Sequence, residues 1–180
     1  MSEGSKVVLR DATVDDAEAI ARIYAYYCKR TTVTFQTVPS TAEDIAAGIA
    51  SEPSGQLPYL VAVQGSQVVG YSYATLLRAR EGYASSCEVG IYLKWTHRGR
   101  GIGSSLLGEL ISRCQDLDIR QLVAIVAADQ EPSLALHKRF GFQEVGRLES
   151  IAFKHDRWLS TVQLQRSVGR GAADPPTRRL

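Results

Sequence analysis

Between the apolar run Val89-Gly90-Ile91-Tyr92-Leu93 and a long stretch of helical periodicity stands Arg98-Gly99-Arg100-Gly101-Ile102-Gly103. Three glycines at alternate positions remove the Cβ atoms that would hold an anion away. Successive backbone N–H groups can then converge on phosphate oxygens at the positive end of the following helix. Arg98 and Arg100 add formal charge there. Taken alone, the stretch is either a pyrophosphate cradle or a strand-to-helix connection that needs glycine. Two nucleotide chemistries are disfavoured. A triphosphatase loop closes with Gly-Lys-Ser/Thr, but Gly103 leads into Ser104-Ser105 with no lysine. A dinucleotide turn spaces its last two glycines by two residues and has an acid about 20 positions on. Here one residue separates them, and 121–126 holds no acid.

Upstream of the cradle, Glu88 alternates in direction with Val89 and Ile91 if 86–93 is a strand. It is either an exposed strand carboxylate or a general base beside the bound phosphate ligand. Arg78 and Arg80, in the turn Arg78-Ala79-Arg80-Glu81-Gly82, carry guanidinium forks suited to a carboxylate or phosphinate. The alternative is a solvated basic turn. The polar segment 31–37, with Phe35, is a plain connector or a substrate loop. Cys87 lacks a histidine beside it in sequence, and direct group transfer would need no nucleophilic thiol.

Those residues need elements to carry them. A strand is expected over 7–10, and Thr13 with Asp16 opens a helix in which Ile20, Ile23, Tyr24 and Tyr27 recur at helical spacing. Ser40 with Glu43 forms a second capping box, for a helix to about Ala50 stopped by 52–55. Residues 59–63 and 67–75 make a hairpin about Gly65-Ser66, and 86–93 is the next strand. From Ile102, the residues Leu106, Leu107, Leu110, Ile111 and Cys114 share one helical face that ends near 116–118. A buried strand follows over 121–127, then a helix opened by Pro132 and closed at Phe140-Gly141, then strands over 144–151 and 157–165. The tail, 167–180, has little to bury and is expected to be disordered, leaving one domain over 6–166.

Composition narrows the class. A chain of 180 residues, 44% hydrophobic, suffices for one well-buried domain. With 21 basic and 19 acidic residues interspersed, no face is built to follow a nucleic acid, so no nucleic-acid partner is expected. Neither a signal-like start nor a membrane-length apolar run is present, which predicts a cytoplasmic protein without membrane association. Cys28, Cys87 and Cys114 are odd in number and set mostly in apolar surroundings, as for reduced core thiols rather than a metal site.

Taken together, Ile23-Tyr24, Thr34-Phe35, Val69-Gly70-Tyr71, Glu88, Ile91-Tyr92-Leu93, 98–103, Ser133, Leu136-His137, Gly141-Phe142 and Lys154 with Arg157-Trp158-Leu159 resemble the GNAT superfamily of N-acetyltransferases. The likeness spans about 9–164 and is greatest to the branch acting on phosphinothricin and methionine sulfone or sulfoximine. It implies an α/β (α+β) protein of the acyl-CoA N-acyltransferase fold, a mixed, mostly antiparallel sheet of about seven strands flanked by helices. Acetyl-CoA is the implied co-substrate, without a metal. Its pantetheine arm would lie along Ile91, Tyr92 and Leu93, its pyrophosphate on Arg98, Gly99, Arg100, Gly101, Ile102, Gly103 and Ser104, with Gln130 and Ser133 alongside. The acceptor would meet Phe35, Arg78, Ala79, Arg80, Glu88, Val89 and Gly90. Glu88 would deprotonate the α-amine, and His137 would protonate the departing thiolate or, alternatively, pack the helix or contact CoA. The family commonly has Asn where Gln130 stands, and acids at the positions of Ala127 and Ser160. Acetylation of a protein N-terminus or polyamine, and a non-catalytic acyl-CoA sensor, are the competing readings. A homodimer is the assembly the resemblance implies.

Overall fold

In the computed structural model, which describes residues 6–51 and 57–178, the chain runs β1 (Val7–Asp11), α1 (Ala17–Arg30), α2 (Ala42–Ser51), β2 (Tyr59–Gln64), β3 (Gln67–Leu76), β4 (Ser86–Leu93), α3 (Ile102–Asp116), β5 (Gln121–Ala127), α4 (Glu131–Arg139), β6 (Gln143–Lys154) and β7 (Arg157–Ser167). The seven strands form one sheet in the order β1-β2-β3-β4-β5-β7-β6. Every pairing is antiparallel except that of β4 with β5, where α3 makes the crossover. This is the mixed sheet expected from the sequence.

Two cores sit on opposite faces. Leu106, Leu107, Leu110 and Cys114 of α3 are wholly buried against Leu60, Leu122 and Leu164 of the sheet. Each such leucine contributes about 1.5–3 kcal/mol by leaving water. On the other face Ile20, Ile23 and Tyr27 of α1 pack on Val61 and Tyr71. Between them the two layers fix β4, which carries residues to both sides. Cys28, Cys87 and Cys114 are all buried, and burial pushes the Cys114 thiol up to about 12.

Local signals explain the helix starts. Asp16 accepts the Thr13 N–H at 2.8 Å while both its oxygens accept from Arg10, at 2.6 and 2.8 Å, which ties β1 to the beginning of α1. For α2 the capping pair is Thr41 and Asp44, not Ser40 and Glu43: Thr41 N–H donates to Asp44 at 2.9 Å, and Asp44 N–H to Thr41 Oγ1 at 3.1 Å. The helix begins at Ala42, which puts Thr41 at the position whose hydroxyl meets the first turn. The expected stop at 52–55 lies outside the described residues.

Two expectations are corrected at the C-terminal end. β6 continues to Lys154 because register shifts between Glu144 and Gly146 and between Leu148 and Ala152 let a long edge strand follow β7. The tail is not disordered through 168–178: Val168 is buried, and buried Arg120 pairs with Asp118 at 2.5 Å and with Asp174 at 2.9 Å. Thr177 donates to Asp118 through backbone and hydroxyl, both at 2.7 Å, and Arg178 Nε donates to Ala84 O at 3.0 Å. Polar pairing holds this segment, which an inventory of apolar residues does not register.

Candidate active site

The site begins where a pairing stops. β4 stays bonded to β3 from Cys87 to Leu93, but it pairs with β5 only at Ser86, Cys87 and Glu88, opposite Gln121, Leu122 and Val123. β5 then follows β7 as far as Ala127. The two parallel strands therefore part after Glu88 and leave a wedge, edged on one side by the backbone of 89–93. An extended ligand can bond to such an edge as an added strand would. Tyr27 closes the far end by donating its hydroxyl to Leu93 O at 2.5 Å.

Beyond the wedge a 3-10 turn, Trp95–His97, leads into the cradle. Gly99 and Gly101 have φ of 73° and 80°, and nothing lies within 4 Å of where a Cβ would stand on either. Glycine is demanded there by the left-handed backbone. Gly103 differs: a Cβ would meet Leu136 and Leu93 at ordinary distances of 3.5 and 3.6 Å. The first-turn N–H groups of Ile102, Gly103 and Ser104 have no partner within their helix and face outward along its axis. The Arg98 guanidinium lies 3.0 Å from the centre of the Trp95 ring. Arg139, from the last turn of α4, donates to Ser104 Oγ and brings another cation to the cradle. Sequence reasoning missed Arg139, because a basic residue at a helix C-terminus already has an explanation in the helix dipole.

Directly opposed residues of an antiparallel pair share a face. Tyr71 with Tyr92, Tyr73 with Gly90, and Thr75 with Glu88 thus stand together on the α1 side, while Cys87 and Val89 enter the α3 core. Glu88 is half-buried at the fork. Burial pushes its carboxyl above the usual range, and the positive charge of Arg78 opposes that rise. Tyr73 is pushed up to about 12, mainly by burial, so its phenol stays protonated beside this carboxylate. Arg78, Ala79 and Arg80 are exposed on the loop between β3 and β4. Phe35 is half-buried in the loop between α1 and α2. Val89, expected among the acceptor contacts, turns its side chain into the opposite core, so only its backbone borders the wedge.

Two further assignments change. Gln130 Nε2, expected on the CoA arm, donates to Thr32 Oγ1 and to Asp129 Oδ1, both at 3.0 Å, which engages both amide hydrogens within the protein. His137 is only 4% exposed, and its Nδ1–H donates to the carbonyl of Ser133 at 2.8 Å. Burial lowers its pKa, so the ring is neutral with a lone pair, not a proton, on Nε2. That nitrogen is buried without a hydrogen-bond partner among the described residues.

A cavity of about 750 Å3 lies elsewhere, between the first half of α1, the β2–β3 turn and Lys94, Trp95 and Thr96. It includes neither Glu88 nor the cradle glycines. The wedge and the open glycine turn fit an extended arm ending in a pyrophosphate. The fold and site together define an acyl-CoA-dependent transferase.

The comparisons specify which one. Residues 9–162 match the family described as Acetyltransferase (GNAT) domain, and the chain belongs to it. It is 38% identical over 170 residues to phosphinothricin N-acetyltransferase of Alcaligenes faecalis, covering 94% of this chain and 85% of that protein. With the L-methionine sulfoximine/L-methionine sulfone acetyltransferase of Pseudomonas aeruginosa it shares 30% over 158 residues, covering 87% and 92%. A crystal structure of the GNAT superfamily phosphinothricin acetyltransferase from Sinorhizobium meliloti in complex with AcCoA superposes with a TM-score of 0.91 at 37% identity, covering 95% of this chain and 93% of that one.

Proposed function

We propose that this protein transfers the acetyl group of acetyl-CoA to the α-amine of a small anionic amino acid or analogue, of the kind represented by phosphinothricin, methionine sulfone and methionine sulfoximine. The observation that carries this reading is the position of Glu88: half-buried at the fork of β4 and β5, with Arg78 close enough for its charge to be felt. The relatives' names support the acceptor class.

In this reading the arm of acetyl-CoA adds to the edge of 89–93 and its pyrophosphate rests on the cradle from Arg98 to Ser104, joined by Arg139. Arg78 and Arg80 receive the acceptor's anionic group, and Phe35 covers its side chain. An α-ammonium has a pKa of about 8 even in peptides, so the amine must lose a proton before it attacks. Glu88 takes that proton, directly or through water. A backbone N–H near Ile91 or Tyr92 meets the charge growing on the thioester oxygen. The thiolate departs without a proton from His137, whose Nδ1–H is engaged by Ser133 O and whose pKa burial lowers.

Thiol release from acetyl-CoA tests the reading across phosphinothricin, methionine sulfone, methionine sulfoximine, ordinary amino acids, spermidine and an N-terminal peptide. Preferential turnover of the first three is expected; preference for spermidine or the peptide would replace the substrate class. The cationic loop disfavours a polyamine. Among the described residues no helix is long and apolar enough to cross a membrane, and we place the work of the enzyme in the cytoplasm with its co-substrate. Val145, Leu148, Ile151, Phe153 and Trp158 are exposed along the β6 edge and its hairpin, which favours a homodimer through that edge. Light scattering at twice the monomer mass is the expected result.

A further inference from the structure

Lys154 is only 5% exposed, yet among the described residues it forms no ion pair with a carboxylate. Its Nζ donates to the backbone carbonyl of Thr34 at 2.6 Å, across 120 positions of sequence. Burying an ammonium is costly unless its hydrogen bonds repay the lost water, so this contact asks for a reason. Thr34 is the residue before Phe35, and its hydroxyl also meets the Tyr24 hydroxyl at 3.1 Å.

A second strut reaches the same loop from the same hairpin. Arg157 donates to Asp129 Oδ2 at 2.5 Å, and that oxygen accepts from Thr32 Oγ1 at 2.9 Å. Lys154 and Arg157 flank the two-residue turn His155-Asp156, whose φ values of 51° and 57° belong to the tight hairpin type that matches strand twist. The hairpin thus sends two cations toward one loop, one directly and one through Asp129. The loop's own bonds, Val33 N–H to Thr31 Oγ1 at 3.2 Å and Gln36 N–H to Thr34 Oγ1 at 3.4 Å, are local and cannot fix it against the sheet.

We propose that Lys154 is a positioning residue for acceptor binding: by holding the Thr34 carbonyl it sets the loop so that Phe35 closes over the acceptor. This rests on the acceptor site described above. The loop has no helix or strand to stiffen it, and the buried ammonium supplies the rigidity that secondary structure does not. Asp129, with Arg157 and Thr32, holds the other side of the same bend.

The test combines hydrogen exchange with steady-state kinetics on Lys154→Met. Exchange in 31–37 is expected to quicken by about tenfold, the loss of one charge-assisted bond, while exchange in 98–116 stays at the wild-type rate. With whichever acceptor the wild-type protein turns over, the acceptor KM should rise by about tenfold and the acetyl-CoA KM should stay within about twofold. Lys154→Arg keeps the cation and is read beside it, or in its place if the neutral variant does not fold. Its larger head displaces the carbonyl, and the same split is expected at about threefold. Unchanged exchange in 31–37, or acceptor and acetyl-CoA KM values rising together, would overturn the proposal. Failure of phosphinothricin-like acceptors in the wild type would instead sink only the substrate class, because the exchange measurement needs no acceptor.

Discussion

Tyr73 lies against Gly90 of the neighbouring strand, so closely that a Cβ on Gly90 would stand 2.5 Å from Tyr73 Cζ and 2.7 Å from its hydroxyl oxygen. Behind it the ring is stacked with Tyr59 at 5.5 Å and Tyr71 at 6.2 Å between centroids. Gly90→Ala should therefore push Tyr73 into the acceptor side of the fork. Overpacking of this kind costs about 1–3 kcal/mol. In a chain of this size that lowers Tm by roughly 2–4 °C per kcal/mol. Calorimetry and the acceptor KM are read together, and a wild-type Tm would show that the contact is slack.

Glu88→Gln should reduce kcat by about a hundredfold, the ordinary size of a general-base contribution, and leave acetyl-CoA affinity as it is. The pH profile carries the sharper expectation. A base works in its deprotonated form, so kcat/KM should climb with pH on the acid side, through a midpoint above the ordinary carboxylate value because burial raises Glu88. Arg78 opposes that rise, so Arg78→Ala should move the midpoint further up. A midpoint that stays put, or a wild-type acid limb surviving in Glu88→Gln, would remove Glu88 as the base.

At Gly101 the φ of 80° is strained for any residue with a side chain. With no neighbour within 4 Å, the protein should nonetheless fold with valine there. Gly101→Val is expected to weaken CoA binding by at least about tenfold in titration calorimetry, that is by about 1.4 kcal/mol or more. Normal affinity in a folded variant would mean that the phosphates bind elsewhere.

Removal of 170–180 takes away Gly171, Asp174, Thr177 and Arg178, hence two partners of Arg120 and three donors to Asp118. A Tm lower by several degrees is expected, with the acetyl-CoA KM unchanged because Arg120, Asp118 and Ala84, to which the tail bonds, lie outside the cradle. An unaltered melting curve would show that the strap carries no stability.

What the sequence displayed well was whatever short-range pattern decides. The strands at Ser86–Leu93 and Gln121–Ala127 were legible to the residue, since each holds a run of apolar residues bounded by turn signals. The start of α2 was not, because Pro39-Ser40-Thr41-Ala42-Glu43-Asp44 holds two overlapping capping patterns and only the bonds formed distinguish them. The glycine turn was legible by type and spacing, and Gly99 and Gly101 do take the left-handed backbone that calls for glycine. The hold of Lys154 on Thr34, the reach of Arg139 to Ser104 and the burial of His137 depend on which distant segments meet, and no local periodicity encodes that.

The wedge between β4 and β5 is lined along 89–93 by main chain, and main chain offers the same donors and acceptors whatever side chains it carries. If the acetyl carrier lies along that edge, as proposed, its recognition is written in an alphabet that substitution hardly edits. The side chains that would tell one acceptor from another sit on two loops, 31–37 and 77–85, outside the regular strands. A lineage can therefore trade one amine for another by redrafting those loops while the socket for the acetyl carrier stays as inherited. Transplanting the pair of loops from a relative with a different preference is the laboratory form of the same step.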